Sequence, residues 1–546
     1  MKRLTNLTAL LTAILLSATA HAADNSYDVV IYSGTDAGVI AGVAAAKLGK
    51  SVVIIEPTTR VGGMTTCGLS MTDYGNKAAI DGLTMDYYKR VGAKYGQSDA
   101  CWNFEPKVAL SVFQDLINEN HLTVVYGERL DLKRGVVKDG ARIVSIKMES
   151  GKIFTGKEFI DASYEGDLLA KAGVSYTLGR ESDATYGEIF NGIQPGSQLP
   201  PGIDPYVVPG KPSSGLIARV NPNAGGPVAS GDKKIMAYNY RITLCRDPNN
   251  RVMIQKPAGY NEADYEVLFR AIGCGQRSHF FKTDNGLIPN NKSDSNNDSG
   301  VSTDYIGVGS SEYPEADYAT REKIRQEIKT YEQGFIWTVQ NHPRVPQEVR
   351  DAYKDWGLPK DEFTDTDNWP PQIYVREARR MLSDDVVTEH DALLDKVSSE
   401  PVGLSCYPMD SHHMQYCVGW DGFVRTEGGQ YVRFQTPFPV DYRAIIPKAA
   451  QCTNLTVPIC ISASHIAYES IRMEPVYMIL GQSAGTASAL AIDNGCSVQD
   501  LPYKTLRTQL LADHQLTDWP GGTPRADNVI YAIQTPATGD KFTPTK

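Results

Sequence analysis

The chain of 546 residues contains nine cysteines but no C-x-x-C pair, so neither a zinc ribbon nor a ferredoxin-type cluster is indicated. It has no C-x-x-C-H either, which excludes covalent c-type haem. There is no basic surplus: 54 Lys and Arg face 64 Asp and Glu, a net charge of −10, and the cations are scattered. Nucleic acid is therefore not an expected partner. No internal repeat is evident. Beyond the N-terminus no apolar run is long enough to span a bilayer. A dinucleotide fingerprint G-x-G-x-x-G is also incomplete: in "YSGTDAGVIAG" Ser33 and Thr35 stand where the first two glycines belong, and only Gly38 is in place.

The first residues read as a leader. Lys2 and Arg3 precede the apolar run "LTALLTAILLSATA", and Ala20-His21-Ala22 forms an A-x-A cleavage site. Residues 1–22 are thus expected to be a signal peptide cut near Ala22, giving a periplasmic or secreted protein with no membrane span. The absence of a twin-arginine pair points to export in the unfolded state, with any cofactor loaded afterwards. Export permits disulfides, and Cys452 and Cys460 in "CTNLTVPIC" could close a local loop.

The incomplete fingerprint still sits in a βαβ context. The apolar "YDVVIYS" leads into an Ala-rich helix from about Gly38 to Leu48. A second strand, "KSVVIIE", then ends in Glu56. An acid there can accept from ribose hydroxyls. Gly34 allows a tight turn, Gly38 lets helix approach strand, and the Thr35 hydroxyl could donate to a phosphate. Asp36 is unfavourable near a pyrophosphate and is expected to face solvent. Read alone, this unit binds a nucleotide or nothing.

Two further segments follow in order. "RVGGMTTCGLS" places Gly62 and Gly63, with Met64, just beyond Glu56. "GKEFIDASYEGDLLAKAGV" gives a strand, Asp161, and then Gly166 opening a helix. Read alone, the glycine pair could be a plain turn. Together the three segments resemble the secreted branch of the FAD-dependent oxidoreductase family, glutathione-reductase-type flavoproteins related to fumarate-reductase-like and heterodisulfide-reductase-A-like proteins. The resemblance implies an α/β, Rossmann-like FAD-binding domain with an inserted α+β substrate domain. The boundaries implied are 27–180 and 441–513 for the FAD domain, 181–440 for the insertion and 514–546 for a tail. FAD is the implied cofactor, held by Ser33, Gly34, Thr35, Gly38, Glu56, Gly62, Gly63, Met64, Asp161 and Gly166.

The middle is rich in Pro, Gly and Tyr. Helices are expected in "PEADYATREKIRQEIKTYEQGFIWTVQN" and "QEVRDAYKDWGL", and strands in "MAYNYRITLC" and "QIYVREARRML". Near the end "VPICIS" reads as a strand and "MEPVYMILGQSAGTASALAI" as a long helix. Gly481, Gln482, Ser483, Ala484 and Gly485 are either small residues for helix packing or, by the resemblance, a helix start beneath the isoalloxazine.

Hydride chemistry at a flavin needs a base and cations near the substrate. His412 is the first candidate base, with Asp410 two residues before it to hold the tautomer. His465 is the alternative, and Arg376 or Arg379 would orient the substrate. A packed core histidine is the plain alternative for His465. No metal ligand set is expected. The expected activity is oxidation of a small organic molecule, such as a carbohydrate-derived alcohol, with a separate electron acceptor or donor. The alternatives are fumarate-reductase-like reduction of an activated double bond, and a polysaccharide lyase or carbohydrate-binding protein.

Overall fold

The computed structural model describes residues 25–519, except 197, 284–287 and 435, and the backbone of the strand Val529–Ile533. The expected leader lies outside the described residues. Strands β1 (Ser26–Tyr32), β2 (Val52–Glu56), β3 (Thr123–Tyr126), β4 (Val136–Asp139), β5 (Arg142–Lys147) and β6 (Ile153–Asp161) form one sheet in the order β3-β2-β1-β6-β5-β4. A short β7 (Leu455–Thr456) is added beside β6. The pairings among β3, β2, β1, β6 and β7 are parallel, whereas β4 and β5 form an antiparallel pair against the start of β6. This is a Rossmann-like arrangement, and its ligand side is at the carboxyl ends of the strands.

Helix α1 (Asp36–Lys47) connects β1 to β2 and is buried from Asp36 to Ala45. Its apolar and small residues suit a helix covered on two sides. One side is the sheet. The other is the long helix α3 (Glu474–Asn494), whose buried residues run almost without interruption from Glu474 to Ala491. A Cβ at Gly481 would lie 2.4 Å from the Ala37 carbonyl oxygen, and one at Gly485 would lie 2.1 Å from that of Ala41. The two glycines therefore allow two parallel helices to cross backbone on backbone.

The expected helices of the middle segment are Tyr318–Asn341 (α2) and Gln347–Tyr353. Its strands are shorter than the sequence suggests. Only Ile242–Cys245 and Arg380–Met381 form ladders within the two segments expected to be strands. Likewise "VPICIS" is not a strand, and only the preceding Leu455–Thr456 joins the sheet. Outside those ladders nearly all residues of the three stretches are buried, but they belong to no regular strand.

Two arginines tie the middle segment to the sheet. Arg321 on α2 is bidentate on Asp167, with Nη1 at 2.6 Å from Oδ2 and Nη2 donating to Oδ1 at 2.8 Å. Arg379 Nη1 donates to the same carboxylate at 2.9 Å. Described parts of the expected tail are also built in. Val529–Ile533 pairs with Tyr431–Phe434, and buried Gln515 donates to Ser483 Oγ at 2.6 Å. All nine cysteines are free, so the Cys452–Cys460 loop does not form. Cys460 instead packs its thiol against the carbonyls of Ser163 and Tyr164.

Candidate functional site

The carboxyl ends of β1 and β2, the turn after β6 and the middle segment enclose a cleft. Ser33, Thr35, Glu56, Gly63, Ser163 and Tyr164 line its sheet side. Ser33 has a φ of +75°, the left-handed conformation that the missing first glycine would adopt freely. Gly38 is required by space: its Cβ would lie 2.2 Å from the Ser33 carbonyl oxygen. Thr35 caps α1, its hydroxyl accepting from the Gly38 N–H at 3.2 Å and donating to the Ala162 carbonyl at 2.8 Å. That hydroxyl proton is therefore not free for a phosphate as expected. Glu56 is buried, and its two oxygens accept from the Gly34 and Thr58 N–H groups, each at 2.7 Å. Burial pushes its carboxyl up to about 7.

Asp36 departs from expectation. It is fully buried rather than solvent-facing. It accepts from the Ala37 N–H at 2.7 Å and from the Thr65 hydroxyl at 3.0 Å, and burial raises it to about 7. Gly62 and Gly63 both have positive φ, and a Cβ at Gly63 would lie 2.3 Å from Tyr164 Oη, which accepts from the Met64 N–H at 3.0 Å. Asp161 accepts from the N–H groups of Ser163 and Leu169, so it closes the turn after β6 rather than facing the cleft. Gly166, at φ +69°, leaves room for Leu169 and Cys460.

The "GQSAG" segment lies in the interior of α3, not at its start. Gly481 and Gly485 serve the crossing with α1. Gln482 Oε1 accepts from the Leu83 N–H at 2.8 Å, Ser483 donates to the Val402 carbonyl at 2.8 Å, and Ala484 is buried. The packing alternative therefore accounts for these five residues. The N-terminus of α3 is seven residues earlier, at Glu474. That carboxylate is fully buried and neither oxygen has a hydrogen-bond partner among the described residues. Burial and the neighbouring Asp36 raise it to about 8.

A second polar cluster adjoins this end of α3. The ring of Tyr374 has three guanidiniums around it, with Arg376 at 5.0 Å, Arg472 at 5.8 Å and Arg241 at 5.9 Å from its centroid. Arg241 is held by Asp294, and Arg472 Nη1 donates to Tyr374 Oη at 3.1 Å. Arg376 Nη2 lies 3.0 Å from Asp304 Oδ1, and the other oxygen of Asp304 lies 2.9 Å from His412 Nδ1. Asp304 holds the His412 tautomer, so the expected Asp410 does not. Asp410 pairs instead with Arg472 at 3.5 Å. Burial and Arg376 lower the His412 imidazole to about 3, so it is neutral with Nδ1 as donor. Among the described residues no protein group bonds its Nε2.

His465 has no such free nitrogen. Nδ1 lies 2.8 Å from Glu377 Oε1, and Nε2 lies 2.8 Å from Glu469 Oε1. Against burial, the two carboxylates raise it to about 10, so it is a buried imidazolium and a poor base. Arg379 faces away from the arginine fan, toward Asp167 and Glu315, while Arg380 pairs with Glu377 and Glu181. Sequence reasoning missed Asp304, Arg241, Tyr374 and Glu474. Glu474 at least stood at a helix start before Pro475, where an acid is expected as a cap and draws no attention. The acidic group Glu105, Asp361 and Glu362 surrounds Lys292 Nζ, at 2.5 to 3.0 Å, and so already holds a cation.

The match to the FAD dependent oxidoreductase family model runs over residues 28–510, most of the sequence. The chain belongs to that family. It is an FAD-dependent oxidoreductase, FAD is its cofactor, and the lyase alternative is set aside. No curated protein matches the sequence. Among solved structures, the chain is similar to Thermovibrio ammonificans THI4 (19% identity, 29% of this chain, 67% of that one, TM-score 0.22). It is also similar to L-proline dehydrogenase from P. horikoshii (15%, 29% and 58%, 0.23). A third is 3-ketosteroid-delta4-(5alpha)-dehydrogenase from Rhodococcus jostii RHA1 (14%, 29% and 50%, 0.20). The matched part spans about half to two thirds of these proteins, and likenesses so partial carry no conclusion about activity. The cleft fits the cofactor: the turn at the carboxyl end of β1, the acid ending β2 and the close-packed Gly63 line it.

Proposed function

We propose that this chain is an exported enzyme that moves a hydride between a small organic substrate, such as a carbohydrate-derived alcohol, and FAD, with residues 181–440 as the substrate-bearing domain. FAD, when bound, supplies a two-electron hydride acceptor or donor at N5. The observation that carries the reading is the His412–Asp304–Arg376 array beside the N-terminus of α3. Asp304 fixes the imidazole with Nδ1–H as donor, leaving Nε2 as an acceptor for a hydroxyl proton. Burial, with Arg376 and Arg472, keeps that imidazole neutral. A substrate bringing negative charge, or developing it on an alkoxide oxygen, offsets the guanidiniums and raises the basicity of His412 when the proton must move. Arg376 thus both orients substrate and times the base.

His412→Asn should leave FAD bound and slow flavin bleaching by about a hundredfold or more, the scale of lost general-base catalysis. The measurement is anaerobic rapid mixing with a compound found by screening sugar alcohols and hydroxy acids for flavin bleaching. An unchanged rate would remove His412 from the chemistry. A second reading, reduction of an activated double bond with electrons from an external donor, is favoured by the three guanidiniums around Tyr374, which suit an acceptor carrying carboxylates. Oxidation of the reduced enzyme by unsaturated carboxylates, and no bleaching by alcohols, would select it.

A further inference from the structure

The N-terminus of α1 already holds an anion belonging to this chain. The Ala37 N–H donates to Asp36 and the Gly38 N–H to Thr35. The Gly34 N–H is taken by Glu56. In a dinucleotide fold such donors ordinarily face the diphosphate. Here the turn has few left to offer, and Asp36 adds negative charge when ionised.

Positive charge reaches the cleft from two other places. Arg60 comes from the loop before Gly62, and Arg325 comes from α2 in the middle segment. Neither is fully used. The ion-pair partner of Arg60, Asp365, is 3.7 Å away and half exposed. Arg325 Nη1 pairs with exposed Glu322 at 2.9 Å and Nη2 donates to the Pro371 carbonyl, but its buried Nε has no partner among the described residues. Of the other two arginines lining the cleft, Arg321 is held by buried Asp167, and Arg129 pairs with Glu149 at the surface. A buried donor left without a partner is costly, and a charged acceptor relieves it.

We propose that Arg325, together with Arg60, which lines the same cleft, binds the diphosphate of FAD, replacing donors that the α1 turn has given to Asp36, Thr35 and Glu56. The cofactor is then clamped between the sheet and the middle segment. This assignment concerns cofactor binding alone, so it stands or falls apart from the choice of base and substrate.

The test uses full-length protein freed of flavin and titrated calorimetrically with adenosine, ADP and FAD. Arg325→Gln should weaken ADP and FAD by about ten- to a hundredfold, the scale of a lost charge-assisted hydrogen bond, and leave adenosine unchanged. Glu322→Gln, at an exposed position, releases Arg325 from its competitor and should tighten ADP. Wild-type ADP affinity in Arg325→Gln, or an equal loss for adenosine and ADP, would overturn the assignment. If Arg325→Gln does not fold, Glu322→Gln decides: tighter ADP supports the clamp, and unchanged or weaker ADP overturns it.

Discussion

Gly38 lies so close to Ser33 that a methyl group on its α-carbon would sit 2.2 Å from the Ser33 carbonyl oxygen. One glycine of the fingerprint is thus kept by contact, while another has been replaced at the cost of a left-handed serine. The two sites should respond oppositely. Gly38→Ala collides with backbone, which cannot rotate away, and should destabilise the protein by roughly 1–3 kcal/mol. Ser33→Gly relieves the positive φ and should gain about 1 kcal/mol. Denaturant midpoints check both. A neutral Gly38→Ala would mean that the α1 turn is looser than described.

Glu474 begins α3 with a carboxylate that is buried, unpartnered and close to Asp36. Its pKa is raised from 4.5 to about 8. Between those values the unfolded chain is ionised while the folded one keeps its proton, so this group subtracts stability as pH rises through the window. Glu474→Gln removes the effect. In flavin-free protein its thermal midpoint should exceed that of wild type by an amount that grows with pH up to about 8 and then levels off. A constant difference across the window would show that Glu474 ionises normally.

His465 carries the opposite sign. Its folded pKa, raised from 6.5 to about 10 by Glu377 and Glu469, gives stability that is fully present below 6.5 and lost as pH rises through about 10. His465→Gln should therefore be least stable relative to wild type at neutral and lower pH, with the deficit shrinking toward pH 10. Flavin content measured on the surviving folded fraction should be unchanged. A deficit that does not depend on pH would mean that the imidazole is neutral.

The framework was legible where local pattern is strong. The apolar runs of β1 and β2, the Ala-rich α1 and the long α2 and α3 all form near their expected bounds. What the sequence hid depends on tertiary partners. The glycines of "GQSAG" are small for the sake of α1, a helix more than four hundred residues earlier. Asp36 looked like a surface acid and is buried because α3 covers it. Asp304 orients His412 from a stretch with no motif, whereas Asp410, adjacent in sequence, is drawn to Arg472. In "YVREARRM" Arg376 goes to Asp304 and Arg379 to Asp167 and Glu315, while Glu377 and Arg380 pair with each other.

The central claim is that this chain holds FAD and passes electrons through it. Purified protein should be yellow, with close to one flavin per chain. After denaturation the released flavin should gain fluorescence on phosphodiesterase treatment, as FAD does when cleaved to FMN. A colourless protein that takes up no flavin when incubated with FAD would contradict the account.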